Sequence, residues 1–554
     1  QSLRELKAIE LIHEKSLFPE LAYMFKHALT QDVAYRSLLE RRRRELHGLV
    51  GEAIEILYAE RLAEQYDVLA HHFSKGEDWS KALHYFRLAA EKAGKALATR
   101  EALALYDQAL EAAGHLGDAV DPRTLIAIRE DRANLFGIVR DFRRAQEEAE
   151  AWLELARRIG DREGEGTAQV TIGVMSVQAH DFARALDRAQ RAIGIAEQIR
   201  SDRLLAQGHH VIGYVSALSG AVDAADDHLD RSLELGAAGG ERLFRAQTLM
   251  MKGFVRVWQG DFAASRRLNR AALAASPQNS QMLTLLLGRW LDGLALIGLG
   301  RYDQALSTLR EDLEVATKVG AEIVVHRITN TFGWLHMECG DARLAYQHNA
   351  RCLELAGPRG DPETVANARL NLADILLLQD DRSPARQLLE EVHRVVRDPS
   401  TSEWMRWRYS THLFGSLAAL ALAEGDPARA EEFANRCLDL ATRSRAKKYL
   451  AIGWRLRGEI AAAGRRWEEA EAHLRSALAF ARSLRNPTQL WKTQLSLGQL
   501  LAETGRRAAA GRAFDASRGV IDRLAAGLRT PTLKAGIEGS LVFRPAYERG
   551  APGT

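Results

Sequence analysis

Two histidine pairs are the first residues in this sequence whose side chains could support metal chemistry. His71 is followed by His72, and His209 is followed by His210. Adjacent residues on an α-helix point about 100° apart, so the two rings of a pair diverge and do not reach one metal ion together. The stretch HEKSL from His13 departs from the zinc-protease motif HExxH, because a leucine stands at the second histidine position. The sequence therefore predicts no metal site.

Motifs for nucleotide binding and for nucleophilic catalysis are also missing from this sequence. A P-loop needs GxxxxGK followed by Ser or Thr, so that backbone amides hold phosphate and the hydroxyl reaches magnesium. The one Gly-Lys pair, Gly94 and Lys95, is followed by Ala96, and Ala89 stands where the first glycine belongs. No GxSxG motif occurs either. We therefore expect that this chain by itself has no catalytic residue, binds no cofactor and is not an enzyme.

Charge and cysteine content indicate which kinds of partner and which cellular compartment to expect. The 554 residues include 76 Lys and Arg against 73 Asp and Glu, a net charge of +3 without the excess that a nucleic-acid-binding face needs. Cys339, Cys352 and Cys437 are too few and too irregularly spaced for a disulfide framework. The sequence has no apolar run of about 18 residues and no signal-peptide pattern. We expect a cytoplasmic protein with reduced thiols that binds neither nucleic acid nor a membrane.

Short turn motifs that could position side chains recur at a fixed spacing. They begin 40 residues apart as RDFRRA (140–145), HDFARA (180–185), GAVDAA (220–225), GDFAAS (260–265), GRYDQA (300–305), GDARLA (340–345) and DDRSPA (380–385). After a longer loop the series continues as GDPARA (425–430), RRWEEA (465–470) and GRRAAA (505–510). A fixed period of this length is typical of arrays whose units pack on their neighbours. The ten turns predict about ten helical hairpins over residues 121–525.

A small residue lies twelve positions before the last residue of each turn. It is glycine at positions 173, 213, 253, 293, 333, 458 and 498, and alanine at positions 133, 373 and 418. Glycine inside a helix costs about 1 kcal/mol relative to alanine, so its recurrence needs a recurring reason. We expect each marker residue, as we call this small residue, to lie where the two helices of a hairpin cross closely.

The pattern of a glycine followed twelve positions later by an alanine resembles the tetratricopeptide repeat. The usual period of that repeat is 34, and the period of 40 in this sequence suggests longer helices. The resemblance implies an all-α fold, a tetratricopeptide-like solenoid (superhelix) of helical hairpins. In period and architecture, although not in matched residues, the array is similar to the sensor superhelix of the maltotriose-responsive transcription activators.

The opening of the chain does not repeat and resembles a different family. The stretch LIHEKSLFPELAYMFKHALTQDVAYRSLLERRRRELH (11–47) is similar to the segment that precedes the repeat array in bacterial class III adenylate or guanylate cyclase-type signal-transduction ATPases. The resemblance covers about residues 1–115. It implies that residues 1–47 end a winged-helix module, that residues 48–120 form a helical linker with irregular repeats, and that a longer parent protein carries the ATPase, with its ATP or ADP, and the cyclase upstream.

The same resemblance suggests a nucleotide-related role for His27. In related switch ATPases a winged-helix histidine lies close to the bound diphosphate, and the stretch from Phe25 to His27 occupies a comparable position. An imidazole that bonds phosphate in only one arrangement would couple nucleotide state to domain position. The alternative is that His27 caps or packs within a small helical domain.

A ligand groove is expected on the first helices of the hairpins. In a tetratricopeptide array these helices line the concave face, and the positions three before, one after and four after the marker residue point toward it. In the central four units the side chains proposed for the groove are His210, Tyr214, Met250, Phe254, Trp290, Asn330, Trp334 and Met337. Aromatic anchors with a few polar groups suit a bound peptide or small effector. The alternative is that these residues pack between successive hairpins.

Two functional hypotheses follow from these observations. The first is a regulatory or sensor module, and a protein-interaction module, of a cyclase-linked signal-transduction ATPase, which relays binding in the groove to the upstream nucleotide switch. The second is a freestanding tetratricopeptide adaptor without a linked ATPase. Any β-sheet is expected only in a short wing near residues 15–25, and residues 526–554 are expected to cap the array and end in a loose tail.

Overall fold

The structure, a computed structural model, describes most of the chain. The described residues are 2–16, 22–96, 98–239, 242–276, 282–357, 362–399, 401–540 and 542–548. They form two compact units, Gln1–Met175 and Ser176–Thr554. Within the described ranges no helix is both long enough and apolar enough to cross a membrane.

After a short first helix, the first unit has a two-stranded antiparallel sheet, in which Ile12 pairs with Phe25. These are the only strands among the described residues, and they confirm a short wing that starts slightly earlier than predicted. Residues 17–21, at the tip of the expected wing, lie outside the described residues. The elements before the array are α1 (Ser2–Ala8), β1 (Ile12–Ser16), β2 (Ala22–Phe25), α2 (Ala28–Ser37), α3 (Glu40–Leu57), the 3₁₀ helix η1 (Ala59–Glu64), α4 (Tyr66–Lys75), α5 (Trp79–Lys95), α6 (Thr99–Leu116) and the 3₁₀ helix η2 (Gly117–Ala119).

Ten helical hairpins follow, and their turns lie near residues 140, 180, 220, 260, 300, 340, 380, 425, 465 and 505, as predicted. Their helices are α7 (Pro122–Ile138), α8 (Phe142–Arg158), α9 (Arg162–Gln178), α10 (Phe182–Ile199), α11 (Asp202–Leu218), α12 (Val222–Gly239), α13 (Arg242–Gln259), α14 (Phe262–Ala275), α15 (Met282–Gly298), α16 (Tyr302–Lys318), α17 (Glu322–Glu338), α18 (Ala342–Ala356), α19 (Pro362–Leu378), α20 (Arg382–Arg397), α21 (Glu403–Ala423), α22 (Pro427–Arg443), α23 (Lys447–Ala463), α24 (Trp467–Leu484), α25 (Pro487–Glu503) and α26 (Arg507–Gly527).

The recurring turn motifs form the hairpins through two local devices. The residue before the aspartate has a left-handed backbone, with φ of 61° at Arg140 and 81° at Gly260. In motifs such as these the aspartate then caps the second helix: the side chains of Asp141 and Asp261 accept hydrogen bonds from the backbone N–H groups of Arg144 and Ala264, whereas the motifs with arginine at this position have no side-chain cap. Each device ends or begins a helix at a definite residue, so the turn motif determines where the chain reverses.

The marker residues lie at close helix crossings, as the sequence predicts. A Cβ atom placed on Gly293 would lie 2.6 Å from Cδ2 of Leu309, and one on Gly458 would lie 2.6 Å from Cγ of Leu474. Both leucines lie four residues after the alanine that ends the turn motif. The glycine therefore makes room for a large side chain one helical turn beyond that alanine.

In the second unit the first helices of the hairpins form the inner layer. Neighbouring first helices contact one another, as α15 does with α17 and α17 with α19. Between second helices no contact of this extent occurs in the described part of the unit. Helices on the inside of a curved array are closer together than those on the outside. We call the solvent-facing side of the first helices the inner face.

Later helices of the second unit pack on the turns of earlier hairpins. The Trp407 indole N–H donates to the carbonyl oxygen of Leu218 at 2.5 Å. The Asn486 side-chain amide donates to the carbonyl of Gly298 at 2.8 Å. The hydroxyl of Ser540, after α27 (Pro531–Glu538), donates to the carbonyl of Gly340 at 2.8 Å. The second unit is therefore held by contacts between distant hairpins as well as between neighbours.

The described end of the chain is ordered and packed. It forms α27 and α28 (Arg544–Glu548). Leu533 and Phe543 are 0% and 2% exposed and belong to the same apolar core as Trp491. The expected loose tail therefore does not begin before residue 548, because this segment buries its apolar side chains. Residues 549–554 lie outside the described residues.

Candidate functional site

Three of the eight residues proposed for the groove are buried. The His210 Nδ1 atom lies 2.9 Å from the hydroxyl of Thr248, and burial lowers the pKa of the imidazole to about 4. The Trp290 indole is 7% exposed, and its N–H donates to the hydroxyl of Thr331 at 2.9 Å. The Arg327 guanidinium lies 5.2 Å from the centre of the Trp290 ring. These contacts run between neighbouring first helices.

The third buried residue, Asn330, belongs to a network of side-chain amides. Its Nδ2 donates to Oδ1 of Asn349 at 2.9 Å, and Asn371 donates to the same oxygen at 3.2 Å. Asn367 donates in turn to Oδ1 of Asn330 at 2.5 Å. Buried amides are stable when their hydrogen bonds are made, so this network joins α17, α18 and α19. For His210, Trp290 and Asn330 the geometry agrees with the alternative of packing between hairpins.

The other five residues, Tyr214, Met250, Phe254, Trp334 and Met337, are partly exposed. Two of them, Phe254 and Trp334, lie in different environments on the inner face. The Phe254 ring packs against Trp404 of α21, with ring centroids 5.1 Å apart. Trp404 itself is 3% exposed, so the inner face near Phe254 is covered by another part of the same unit.

Trp334 marks a different part of the inner face, where charged side chains from several first helices meet. Its indole N–H donates to Oε1 of Glu338 at 2.8 Å, and Glu338 also accepts a hydrogen bond from Thr488. The Lys448 ammonium lies 4.7 Å from the centre of the Trp334 ring. We call Trp334, Glu338, Asp374, Lys448 and Lys492 the inner cluster.

Asp374 is held in its charged form by two neighbours on α21. His412 Nε2 lies 2.8 Å from Oδ2 of Asp374, and the Ser416 hydroxyl donates to Oδ1 at 2.5 Å. Burial raises the pKa of the Asp374 carboxyl, but the interactions with His412 and Ser416 lower it by more, so the net shift is downward. The Asp374 carboxylate is therefore charged, and each of its two oxygens has a hydrogen-bond partner.

Lys492 lies on α25, among charged side chains from other first helices. Its side chain keeps partial contact with solvent, yet burial lowers the pKa of its ammonium, which is the combination expected deep in a concave surface. The charges of Arg455 and Lys448 lower this pKa further, whereas those of Glu338 and Asp374 raise it. These four residues come from α17, α19 and α23, so side chains of several first helices converge around the Lys492 ammonium.

The sequence-based search missed most of the inner cluster. Asp374 stands one position after the marker residue Ala373, so the rule used for Tyr214 and Trp334 would have found it. Lys448 and Lys492 lie ten and six positions before their marker glycines, outside the three positions considered. Their place in the cluster depends on how helices of distant hairpins approach each other.

A small cavity elsewhere in the second unit does not offer a ligand site. It lies between α11, α12 and α13 and is lined by Gln207, Ser232 and Thr248, among others. It has room for about one water molecule. This cavity is therefore too small for a peptide or an effector, and the inner cluster is the candidate site considered below.

His27, proposed to sense nucleotide, lies in the first unit. It immediately precedes α2, is exposed, and makes no side-chain hydrogen bond that caps this helix. Its proposed role stays a prediction. Across the described ranges no group of three or more His, Cys, Asp or Glu side chains is arranged to hold a metal ion.

Comparisons with known proteins support the fold. No protein-family model matches this sequence, and no curated protein does. The structure is similar to a Rap protein complexed with competence and sporulation factor, with a TM-score of 0.50, 12% identity, and coverage of 66% of this chain and 99% of that one. It also matches the APC/C hetero-tetramer Cut9–Hcn1, with a TM-score of 0.44, 12% identity, and coverage of 84% and 96%. The repeated helical hairpins and the likeness to the Rap protein show a tetratricopeptide-like solenoid, as the sequence predicts.

Proposed function

We propose that this chain is a sensor and protein-interaction module that binds an extended peptide segment of a partner protein on the inner face of its second unit. The observation that carries the proposal is the inner cluster. It brings a partly exposed tryptophan, two carboxylates and two ammonium groups together from several first helices. A small effector in the same place is the alternative ligand.

The chemistry of the inner cluster suits a peptide. An extended peptide offers backbone donors and acceptors together with side chains, and the cluster offers both polar groups and an aromatic anchor. Partly exposed tryptophans held by their own hydrogen bonds are frequent centres of binding energy, and Trp334 is held in this way by Glu338. The Rap protein of similar fold was solved in complex with competence and sporulation factor, which supports the same kind of use.

The regulatory part of the proposal rests on the sequence resemblance of residues 1–115. In this proposal the chain belongs to a cyclase-linked signal-transduction ATPase, peptide binding on the inner face is relayed to the ATPase, and His27 contributes to sensing ATP or ADP. The exposed position of His27 leaves its imidazole accessible to another module. A freestanding adaptor would share the peptide site and lack the relay.

Selection from a displayed library of random peptides tests peptide binding. We expect the purified chain to enrich peptides that bind in solution by fluorescence polarisation. Trp334→Ala is expected to weaken their binding by about 2 kcal/mol or more, as loss of an aromatic anchor does. The control is Tyr346→Ala on α18, whose side chain is 45% exposed on a second helix. Equal loss of affinity in both variants, or no enrichment at all, would argue against the proposal.

The parent reading frame tests the regulatory part. A P-loop and a cyclase domain immediately upstream would support it, and a start codon at or just before Gln1 would leave the adaptor. In the parent protein, a selected peptide should change ADP release from the ATPase, and His27→Ala should weaken that effect without changing peptide affinity. Unchanged ADP release on peptide binding would contradict the relay.

A further inference from the structure

We propose that α3 of the first unit is an interaction surface for a second copy of this chain, on which the α3 helices of two copies pack antiparallel about a two-fold axis. The proposal concerns the first unit and goes beyond the peptide site of the second unit. It rests on the exposed face of α3, on the spacing of the residues along that face and on the charges at its two ends.

One face of α3 is used within the chain. It packs closely on α4 and on the residue after it: a Cβ atom on Gly51 would lie 2.8 Å from the Phe73 ring, and a Cβ atom on Gly76 would lie 3.2 Å from the backbone nitrogen of Gly48. Gly51 is the buried residue of α3. The opposite face of α3 is therefore turned away from α4.

This opposite face is apolar and open to solvent. Leu49 is 56% exposed, and Ile56 and Leu57 are each 77% exposed. Single exposed apolar side chains are common on protein surfaces, whereas a continuous row of them marks an interaction site. These exposed fractions show that no other described part of the chain covers the row.

The residues along the open face have the spacing of a coiled-coil seam. Steps of four and three residues alternate along the row, which is made of Arg42, Leu46, Leu49, Ala53, Ile56 and Glu60. The last of them lies in η1, about one turn after α3 ends. Alternating steps of three and four residues keep one row of side chains facing a partner helix. The 18 residues of α3 make a seam about 27 Å long.

The charges along α3 and η1 favour a second copy in the antiparallel direction. Residues 40–46 include four arginines and two glutamates, whereas residues 52–64 include four glutamates and one arginine. An antiparallel pair centred on the row places Arg42 of each copy opposite Glu60 of the other, and Leu46 opposite Ile56. A parallel pair would place the arginines of the two copies against each other.

A face that is complementary to itself fits a second copy better than an unrelated protein. A two-fold axis makes every contact twice, so one surface supplies both halves of the interface. Arg42 pairs with Glu45 of its own helix at 3.0 Å, and both side chains are exposed. Such a surface pair contributes little to stability, so the Arg42 guanidinium can exchange it for Glu60 of the second copy.

Sedimentation velocity of the 554-residue chain at several protein concentrations tests the surface. We expect a dimer that dissociates on dilution. Leu49→Glu should weaken the dimer at least about ten-fold, because it places a carboxylate in the apolar seam. The control is Leu378→Glu on α19, a leucine that is 46% exposed in the second unit, and it should leave the dimer unchanged. Both leucines are exposed, so both variants should keep the helical circular-dichroism spectrum of the wild type.

Exchange of charges tests the antiparallel arrangement. Arg42→Glu and Glu60→Arg should each weaken the dimer, because each places like charges opposite one another, and the double variant should restore it. The control double variant is Arg42→Glu/Glu468→Arg. It makes the same change in net charge with an exposed glutamate of α24 and should not restore the dimer.

The other outcomes overturn the proposal or a stated part of it. A wild type that is monomeric at all concentrations would overturn it and leave the open face of α3 to a different partner, such as the upstream module that the sequence resemblance implies. A dimer that Leu49→Glu leaves unchanged would also overturn it. A dimer that Leu49→Glu weakens, and that the exchange of charges does not restore, would overturn the antiparallel arrangement.

Discussion

The indole N–H of Trp407 donates a hydrogen bond to the carbonyl oxygen of Leu218, which lies 189 residues earlier in the chain. This bond places the beginning of α21 on the turn that follows α11. In an array stabilised only by neighbours, loss of one unit affects the units beside it. Contacts of this range connect distant hairpins, so we expect the second unit to unfold more cooperatively than a simple array.

Alanine substitutions at two turn glycines test the contacts between distant hairpins. Gly300 and Gly505 have φ of 73° and 75°. Alanine at either position is forced into the left-handed region, which should lower the free energy of unfolding by about 1–2 kcal/mol. A Cβ on Gly300 would also lie 2.7 Å from Cγ of Pro487, whereas a Cβ on Gly505 would meet nothing within 4 Å. We expect Gly300→Ala to lower the free energy of unfolding, measured with urea, by about a further 1–3 kcal/mol. Equal losses would show that the distant contact adds no stability.

A second pair of glycines tests the hairpin crossing. In Gly293→Ala the new Cβ would lie 2.6 Å from Leu309 Cδ2, and we expect the free energy of unfolding to fall by about 1–3 kcal/mol, partly offset by helix propensity. In Gly511→Ala, inside α26, the new Cβ meets nothing within 4 Å, and we expect a gain of about 0.5–1 kcal/mol. Thermal unfolding of both variants measures the difference. A stabilised Gly293→Ala would show that the small residue is not required.

Two tryptophans of the proposed groove should separate packing from binding. Trp290→Ala removes a buried indole and is expected to cost about 3–5 kcal/mol of stability. Trp334→Ala removes a partly exposed indole, so it should cost less stability and more peptide affinity. Urea unfolding and fluorescence polarisation on the same preparations measure both effects. Similar losses of stability would place Trp334 in the packing between hairpins and remove it from the binding site.

Asp312 should make the second unit less stable as the pH rises. Its side chain is fully buried without a hydrogen-bond partner in the described structure, and burial raises the pKa of the carboxyl to about 7. The folded state therefore binds more protons than the unfolded state, so the free energy of unfolding should fall between about pH 4 and about pH 7, by up to about 1.4 kcal/mol per unit.

The repeat offers the matched variant for this test. Ser517 occupies the position of Asp312 in its own hairpin and donates to the carbonyl of Trp491 at 2.9 Å. Asp312→Ser should therefore preserve the fold and remove the decrease in stability. Urea unfolding at several pH values compares the two proteins. A wild type whose stability does not decrease over this range more than that of the variant would contradict the prediction.

Two buried histidines should have the opposite effect. Burial lowers the pKa of His210 and of His336 to about 4. The unfolded state then binds more protons, so the free energy of unfolding should decrease as the pH falls from about 6.5 to about 4. His210→Gln should make this acid-induced decrease shallower, while His115→Gln, at an exposed position, should leave it unchanged. If the free energy of unfolding fell equally with pH in the wild type and in His210→Gln, His210 would not be a cause of the acid-induced decrease.

The period, the turns and the hairpin crossings could be predicted from the sequence because each depends on residues close in the chain. A left-handed residue followed by a capping aspartate ends one helix and starts the next, as Arg140 and Asp141 do. The glycine twelve positions before the end of each motif reports a crossing within the same hairpin. These contacts are local, so the pattern carries them directly.

The positions of the inner-face side chains relative to one another depended on the tertiary structure. Trp290, three positions before its marker glycine, and Trp334, one position after its own, were both assigned to the groove, and only Trp334 remains partly exposed. Lys448 and Lys492 join the cluster through the return of later helices over earlier turns. That return depends on small rotations accumulated over several hairpins, and no short sequence motif encodes their sum.

One trace of the tertiary structure is present in the sequence and can be interpreted only afterwards. The turns at Gly260, Gly300 and Gly340, on which later helices pack closely, all have glycine, whereas Arg140 and Asp380 take the same left-handed backbone with side chains. Glycine at Gly505 serves the backbone alone, since a Cβ there meets nothing within 4 Å. The local sequence thus determined the hairpins, and the packing between distant hairpins decided the site, because a repeat pattern specifies each unit and its neighbour but not which later unit returns to cover it.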